Sequence, residues 1–499
     1  MRMFEKRICE KGDEMKYKER LSVYIGMIIV SVFIMIFFTS IHPLIIYDSD
    51  DWLYMSYRRE AVPDIHEWNP SKVLPETLMP IVSDVGAHII RPFVGDYLKS
   101  LTITYALVGT ISILVLIGAV YMASKILFEL GDIKAGVVSL FFLFLCFSIF
   151  RNDWSQNYYM FWARNVNCFF NYVIPGILNS VLAIYLLVKD KKAKKLSFVG
   201  LGFWFLLTYL AIYSNLFHSC ILAVCVGVKL IFDANQLKNG LKDFCEKHIY
   251  EIVTIFLWFI SLIFEGTGAR ASASGGFGAA SVFNVSIGLI KKVIHMNKFS
   301  LVLVFVINLV SFVLLIKERK REGRGIIRFY GMSITSEVLL TVFLILLCSA
   351  VNPSYIDRSD AIFGFTFWIL FITAMSLGYL MTISDKIWVI MPIIGYIFIC
   401  NVLNAGRIYK NSNEMGMYYK KCIEVDNYII EQAMEADEEG LDKVTIKVPV
   451  GVDSVNWPHA LDMGGRFANT LYQHGIISRY MDITIEPDQD VNEMFHLSY

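Results

Sequence analysis

Charge is scarce in this 499-residue chain. Asp, Glu, Lys and Arg supply 18% of it, and 45 basic residues balance 45 acidic ones. No net field draws the chain to a polyanion, which argues against nucleic acid as a partner. Nine cysteines are present without paired spacing. Cys146, Cys220, Cys225, Cys348 and Cys400 fall inside apolar runs and read as small core residues. On the outer face only Cys168 and Cys422 are expected, and no disulfide framework or zinc pattern follows. The glycine-rich stretch from Gly266 to Gly278 lacks a following Gly-Lys-Ser, so it is not a phosphate loop. No repeat or heptad run stands out.

What is present is apolar surface: 56% of residues are hydrophobic and 14% aromatic. A soluble domain could not cover that much with polar groups. A hydrocarbon core of about 30 Å needs roughly 20 apolar helical residues, and about eleven spans are expected on that scale. They are Leu21–Ile41, Leu101–Met122, Ala135–Phe150, Tyr172–Val188, Leu196–Tyr213, Leu216–Phe232, Tyr250–Phe264, Ser300–Ile316, Met332–Ala350, Ala361–Met381 and Ile387–Leu403. These spans read as nearly free of charge.

Lys and Arg in short segments set the expected orientation. The tail before Leu21, the run Lys189–Lys195 and the run Lys317–Arg321 with Arg324 are basic, and with eleven spans all three fall on one face. The expected layout is a cytoplasmic tail over residues 1–20 and a membrane domain over 21–403. A first outer loop covers 47–98, and an extracytoplasmic α/β domain covers 404–499. The first span reads as a retained signal-anchor, because no small-residue cleavage site follows it.

Outside the spans, Glu76–Ile90 places Leu78, Met79, Val82, Val85 and Ile89 at helical spacing. That fits an amphipathic helix on the membrane surface or one packed on the bundle. Arg151–Asn171 is rich in aromatics, which suits an interfacial belt or a site for sugar or lipid phosphate. Glu265–Lys298 opens with glycine and serine and reads as a mobile loop, either a closing flap or a plain linker. In the tail, Met415–Met434 and Trp457–Gln473 read as helices. Lys443–Val448 and Met481–Ile485 alternate like strands.

Chemistry gathers after the first span, in Tyr47-Asp48-Ser49-Asp50-Asp51-Trp52. Three carboxylates this close repel one another. One can serve as general base while another holds a cation or fixes the acceptor. Asp48 and Asp50 have the Asp-X-Asp spacing that can present two carboxylates to a metal. Trp52 and Tyr54 read as interfacial anchors. The plain alternative is a solvated acidic turn. Arg91, Arg151, Arg164, Arg270 and Arg358 lie on the face that the orientation rule depletes of cations, where a guanidinium fork could hold phosphate. Arg358 could equally form a surface pair with Asp357. His218, in a turn beside Asn215 and Ser219, reads as structural or as a functional polar group near membrane depth.

With that span layout, the Asp48–Trp52 motif and the helix near Glu76–Ile90, the chain resembles the GT-C type of membrane glycosyltransferase. It looks most like the bacterial glucosyltransferase-like group that decorates surface polysaccharides. The resemblance implies an all-α polytopic membrane bundle with a small C-terminal extracytoplasmic α/β domain. It also implies a polyprenyl-phosphate-linked sugar donor, a surface glycan acceptor and a site at the bilayer. The family's acidic motif maps onto Asp50 and Asp51 as catalytic residues, with Asp48 as an extra. Some members use a divalent metal such as Mg or Mn, which Asp48 and Asp50 would hold. The five arginines match no family motif and stand as donor-phosphate candidates on charge alone. A second class stays open: a transporter or flippase for a lipid-linked saccharide, which should carry charged residues deep in several spans.

Overall fold

The computed structural model describes residues 2–57, 69–151, 157–188, 198–267, 278–318, 324–384, 395, 409–451 and 461–497. Along the chain the main helices are α1 (Arg2–Ile36), α2 (Ser49–Tyr54), α3 (Val73–Asp84), α4 (Tyr97–Phe128), α5 (Asp132–Ser148), α6 (Ile174–Val188), α7 (Phe198–Ile212) and α8 (Leu216–Asp233). They continue with α9 (Ile249–Thr267), α10 (Ala279–Ile294), α11 (Lys298–Lys317), α12 (Arg324–Val351) and α13 (Phe363–Ile383). The tail follows as α14 (Tyr419–Glu438), β1 (Lys443–Pro449), α15 (Gly464–Gln473) and β2 (Asp482–Asp488).

Among the described residues, nine helices are long and apolar enough to cross a membrane. The chain is thus a helical, multi-pass membrane protein. All but one of the nine coincide with expected spans. The exception, Val73–Val94, joins α3 to a π-helical turn at Val85–Ile90 and a short helix at Arg91–Val94. Pro80 removes a backbone donor inside α3, one turn before the π-helical segment starts. Of the two readings of this segment, packing is the one with visible contacts. Ser83 is buried, and its hydroxyl meets Tyr105 Oη of α4 at 2.7 Å. The third and fifth expected spans form shorter helices, α5 of 17 residues and α7 of 15. The last expected span, Ile387–Leu403, lies outside the described residues, as does the run Lys189–Lys195.

Two expectations need correction. The segment expected to be a loop from Glu265 to Lys298 contains α10, although residues 268–277 are outside the described set. The spans are also not free of charge. Glu337 sits in the middle of α12, with Oε1 accepting from Thr341 at 3.3 Å. Lys229 of α8 pairs with Glu251 of α9 at 2.8 Å, both nearly inaccessible.

The chain divides into two compact units. One comprises Met1–Phe33, Ser112–Phe161 and Pro175–Tyr409. Its most enclosed helix is α13, whose interior face accepts close neighbours because small residues stand at the crossings. A Cβ on Gly364 would come within 2.9 Å of Ile221, and one on Gly176 within 2.6 Å of Phe363. Asn308 of α11 bridges Thr373 and Ser376 of α13, each at 2.8 Å.

The other unit comprises Ile34–Ile111, Trp162–Ile174 and Lys410–Tyr499. The described tail is thus grouped with the first loop in one compact unit. β1 and β2 pair in parallel, with Ile446 opposite Ile485, and α15 lies in the connection that parallel pairing requires. The Gln432 side chain of α14 clasps the backbone of Lys447 through two hydrogen bonds of 2.9 and 2.8 Å. It thereby satisfies an edge of β1 as a neighbouring strand would.

Candidate functional site

The acidic motif starts α2. Asp48 is its N-cap, and Asp50 and Asp51 occupy the first turn, where carboxylates suit the positive end of a helix. The three side chains have different surroundings. Asp50 is exposed, whereas Asp48 and Asp51 are buried. Asp51 Oδ2 accepts the backbone N–H groups of Tyr47 and Asp48, each at 3.2 Å. Its Oδ1 accepts the N–H of Asn167 at 2.6 Å. Asp48 accepts Asn165 Nδ2 at 2.9 Å and the N–H of Glu414 at 3.0 Å. Asn165 in turn caps the short helix Val166–Cys168 through the Cys168 N–H.

Burial pushes the Asp48 carboxyl up to about 7, against the pull of the Asn165 and Glu414 donors. Burial, and then the neighbouring Asp48 charge, hold Asp51 well above the usual carboxylate range despite its backbone donors.

On its other side α2 is fixed by α15. Thr470 Oγ1 donates to the Trp52 carbonyl and meets Ser56 Oγ, both at 2.8 Å. Trp52 is not the interfacial anchor expected from the sequence. It is fully buried, with its ring 4.8 Å from that of Phe467. The motif therefore presents one accessible carboxylate, Asp50, on a short helix held by two buried ones.

The fit of a metal to Asp48 and Asp50 can be judged from the donors. Asp48 faces N–H groups, which complement a carboxylate but would repel a shared cation. Among the described residues, no group of three or more His, Cys, Asp or Glu could hold a metal ion.

The arginines separate by unit. Arg164, in the unit of the acidic motif, pairs with Glu414 at 3.3 Å and is partly exposed. Arg91, in the same unit, donates to the Gly475 carbonyl at 3.1 Å. Arg151 and Arg358 belong to the other unit. Arg270 lies outside the described residues. Arg358 does not pair with Asp357 as the sequence suggested. It makes a two-pronged bond with buried Asp360, at 3.0 and 2.7 Å, and also faces the Tyr355 ring. His218 Nε2 lies 2.9 Å from the Asp360 carbonyl, so the turn at Asn215 and the start of α13 are joined.

A ring-lined basic region forms at this end of the unit. The Arg151 guanidinium lies 4.5 Å from the Tyr409 ring, and Lys292 Nζ lies 5.0 Å from that of Tyr158. Asn297 Nδ2 donates to the Arg151 carbonyl at 2.7 Å. Lys292 and Asn297 were missed from sequence because they belong to the unrecognised α10 and the turn after it. Asn165, by contrast, has a local signal: Asn stands immediately before the apolar run that starts at Val166, where an N-cap residue belongs.

No protein-family model matches the chain, and neither a curated protein nor a solved structure matches it.

Proposed function

We propose that the protein is a membrane glycosyltransferase. It moves a sugar from a polyprenyl-phosphate donor to a surface-glycan acceptor at the outer face of the bilayer. The observation that carries this reading is the exposed Asp50, on a helix immobilised by Asp48 and Asp51 just after a membrane-crossing helix. A donor with its polyprenyl chain in the bilayer offers its phosphate and anomeric carbon at headgroup depth, and a carboxylate following a span suits that depth.

Asp50 takes the acceptor's hydroxyl proton. The acceptor oxygen forms its bond to the anomeric carbon as the bond from that carbon to the phosphate oxygen breaks. The bonding pair leaves with polyprenyl phosphate, and the single displacement inverts the anomeric centre. Asp51, enclosed by three N–H donors, positions the helix. Arg164 and Arg91 share a unit with Asp50 and are its donor-phosphate candidates there. Arg151, Arg270 and Arg358 remain candidates on charge. The test is a reconstituted assay with polyprenyl-phosphate sugars that measures released polyprenyl phosphate. Absence of release with every donor tried, from folded protein in lipid, opposes the reading.

A second reading, a transporter or flippase for a lipid-linked saccharide, is favoured by one observation: Glu337 in the middle of a crossing helix. Movement of a fluorescent lipid-linked saccharide between leaflets, lost in Glu337→Gln and indifferent to Asp50→Asn, would select it.

A further inference from the structure

Helix α10 divides its surface into three stripes. Val285 and Leu289 are buried against the unit, with Met296 just beyond the helix end. Phe283, Ile290 and Ile294, at spacings of seven and four, are 65%, 54% and 55% exposed. Asn284 and Lys291, with His295 at the helix end, form a third, exposed polar stripe beside the apolar one, and exposed Lys298 opens α11 after the turn, its Nζ donating to the Ile294 carbonyl. At 16 residues the helix is about 24 Å long, short of the roughly 30 Å hydrocarbon core.

Its contacts place it at an end of its unit. Ser281 Oγ donates to the carbonyl of Ser349, in the last turn of α12. A Cβ on Gly288 would come within 2.8 Å of Ile356, and Lys292 Nζ donates to the Asp357 carbonyl at 2.6 Å. Both belong to the turn Pro353–Asp357, beyond the end of that crossing helix. After Asn297 the chain enters the crossing helix α11, where Val302 and Phe305 are exposed in turn. The exposed apolar positions of α10 are thus followed along the chain by exposed apolar positions of a membrane-crossing helix, with exposed Lys291 and Lys298 near the turn between them.

We propose that α10 lies in the bilayer interface and binds anionic lipid. Phe283, Ile290 and Ile294 enter the acyl region, and Lys291 and Lys298 meet lipid phosphates. An apolar stripe bordered by cations is what an interfacial helix presents to an anionic leaflet, and continuity with α11 selects lipid over a second protein. The inference is independent of sugar transfer, since it uses no residue of the acidic motif.

The test uses the full chain in nanodiscs of phosphatidylethanolamine and phosphatidylglycerol. Photoreactive p-benzoylphenylalanine replaces Phe283, Ile290 or Ile294 in turn, with replacement of Leu289 as the inward-facing control. Irradiation should attach lipid at the three outer positions and cross-link the control within its own chain. In parallel, Lys291→Gln with Lys298→Gln should lower phosphatidylglycerol enrichment around the protein by about fivefold per lysine. Cross-linking of two chains at the outer positions would overturn the proposal. So would water-quenched probes without lipid adducts, or unchanged enrichment in the folded double variant.

Discussion

Carboxylates are buried in both units, but in different company. Around α2, Asp48 and Asp51 meet N–H groups of Tyr47, Asn165, Asn167 and Glu414. In the other unit, Asp132 meets Lys125, Tyr121 and Arg20, Asp233 meets Arg328, and Glu251 meets Lys229. Burial raises Asp132 too, but hydrogen bonds from Lys125 and Tyr121 outweigh it and leave the group below its ordinary value. Asp48 has no comparable outcome and rises to about 7. A carboxylate bound to a cation clamps helices at any ordinary pH. One bound by amides holds a loop in a way that depends on its proton, and its presence beside an exposed Asp50 suits a site more than a clamp.

The sharpest way to break this comparison is Asp50→Asn. Because general-base catalysis typically contributes about 10²–10⁴ in rate, turnover in the reconstituted assay should fall by that order. Unfolding temperature should stay put, since Asp50 is exposed. Near-normal turnover would leave α2 as a structural turn only.

Next in size is the clamp. Lys229→Met leaves Glu251 buried without its cation and should cost about 3–5 kcal/mol. Adding Glu251→Leu should restore most of that, because two apolar side chains no longer demand solvation. Thermal unfolding of the single and double variants in detergent measures both. Equal losses would mean that the helices depend on the pair itself.

The pH responses should have opposite signs. For Asp48 the folded value lies above the unfolded value of about 3.9, so the folded state binds the proton more tightly. Its contribution is greatest below about 4 and is lost as pH rises through about 7. For Asp132 the folded value is depressed, so its contribution is present above about 3.9 and lost as pH falls. Unfolding temperature against pH should therefore flatten between 4 and about 7 in Asp48→Asn, and flatten at the acid end in Asp132→Asn. A wild-type slope unchanged in Asp48→Asn would assign the response to other groups.

The smallest effect belongs to Arg20→Gln. Its guanidinium is 65% exposed and 3.5 Å from Asp132, so solvent screening limits the loss to under about 1 kcal/mol. A larger change in unfolding temperature would show that Lys125 alone does not hold Asp132.

Hydropathy made most crossing helices legible, because a hydrocarbon slab imposes length and composition on each span independently. Strand alternation likewise placed β1 and β2 close to where they fold. Partners distant in sequence were not legible. Trp52 looked interfacial because Phe467, which covers it, has no local signature near α2. Arg358 invited pairing with its neighbour Asp357, but the chain turns after it and brings Asp360 into the fork. The helix α10 was hidden because its apolar positions split between a buried and an exposed stripe, which blurs a single helical period. The acidic motif itself was visible. The division of labour within it was not, since that depends on Asn165, Asn167 and Glu414.

The bond from the Glu414 N–H to Asp48 spans 366 residues. At translation rates of about 5–20 residues per second, the acidic loop is made roughly 20–70 s before that donor exists. During that interval α2 also lacks Thr470 and Phe467, so Trp52 and two ionisable carboxylates wait without their coverings. A nascent chain stalled before residue 410 would present this loop as an unfinished surface to chaperones and proteases. Completion of the site is thereby tied to synthesis of the chain through Thr470, so that chains stopped before Glu414 lack the partners that assemble the acidic motif.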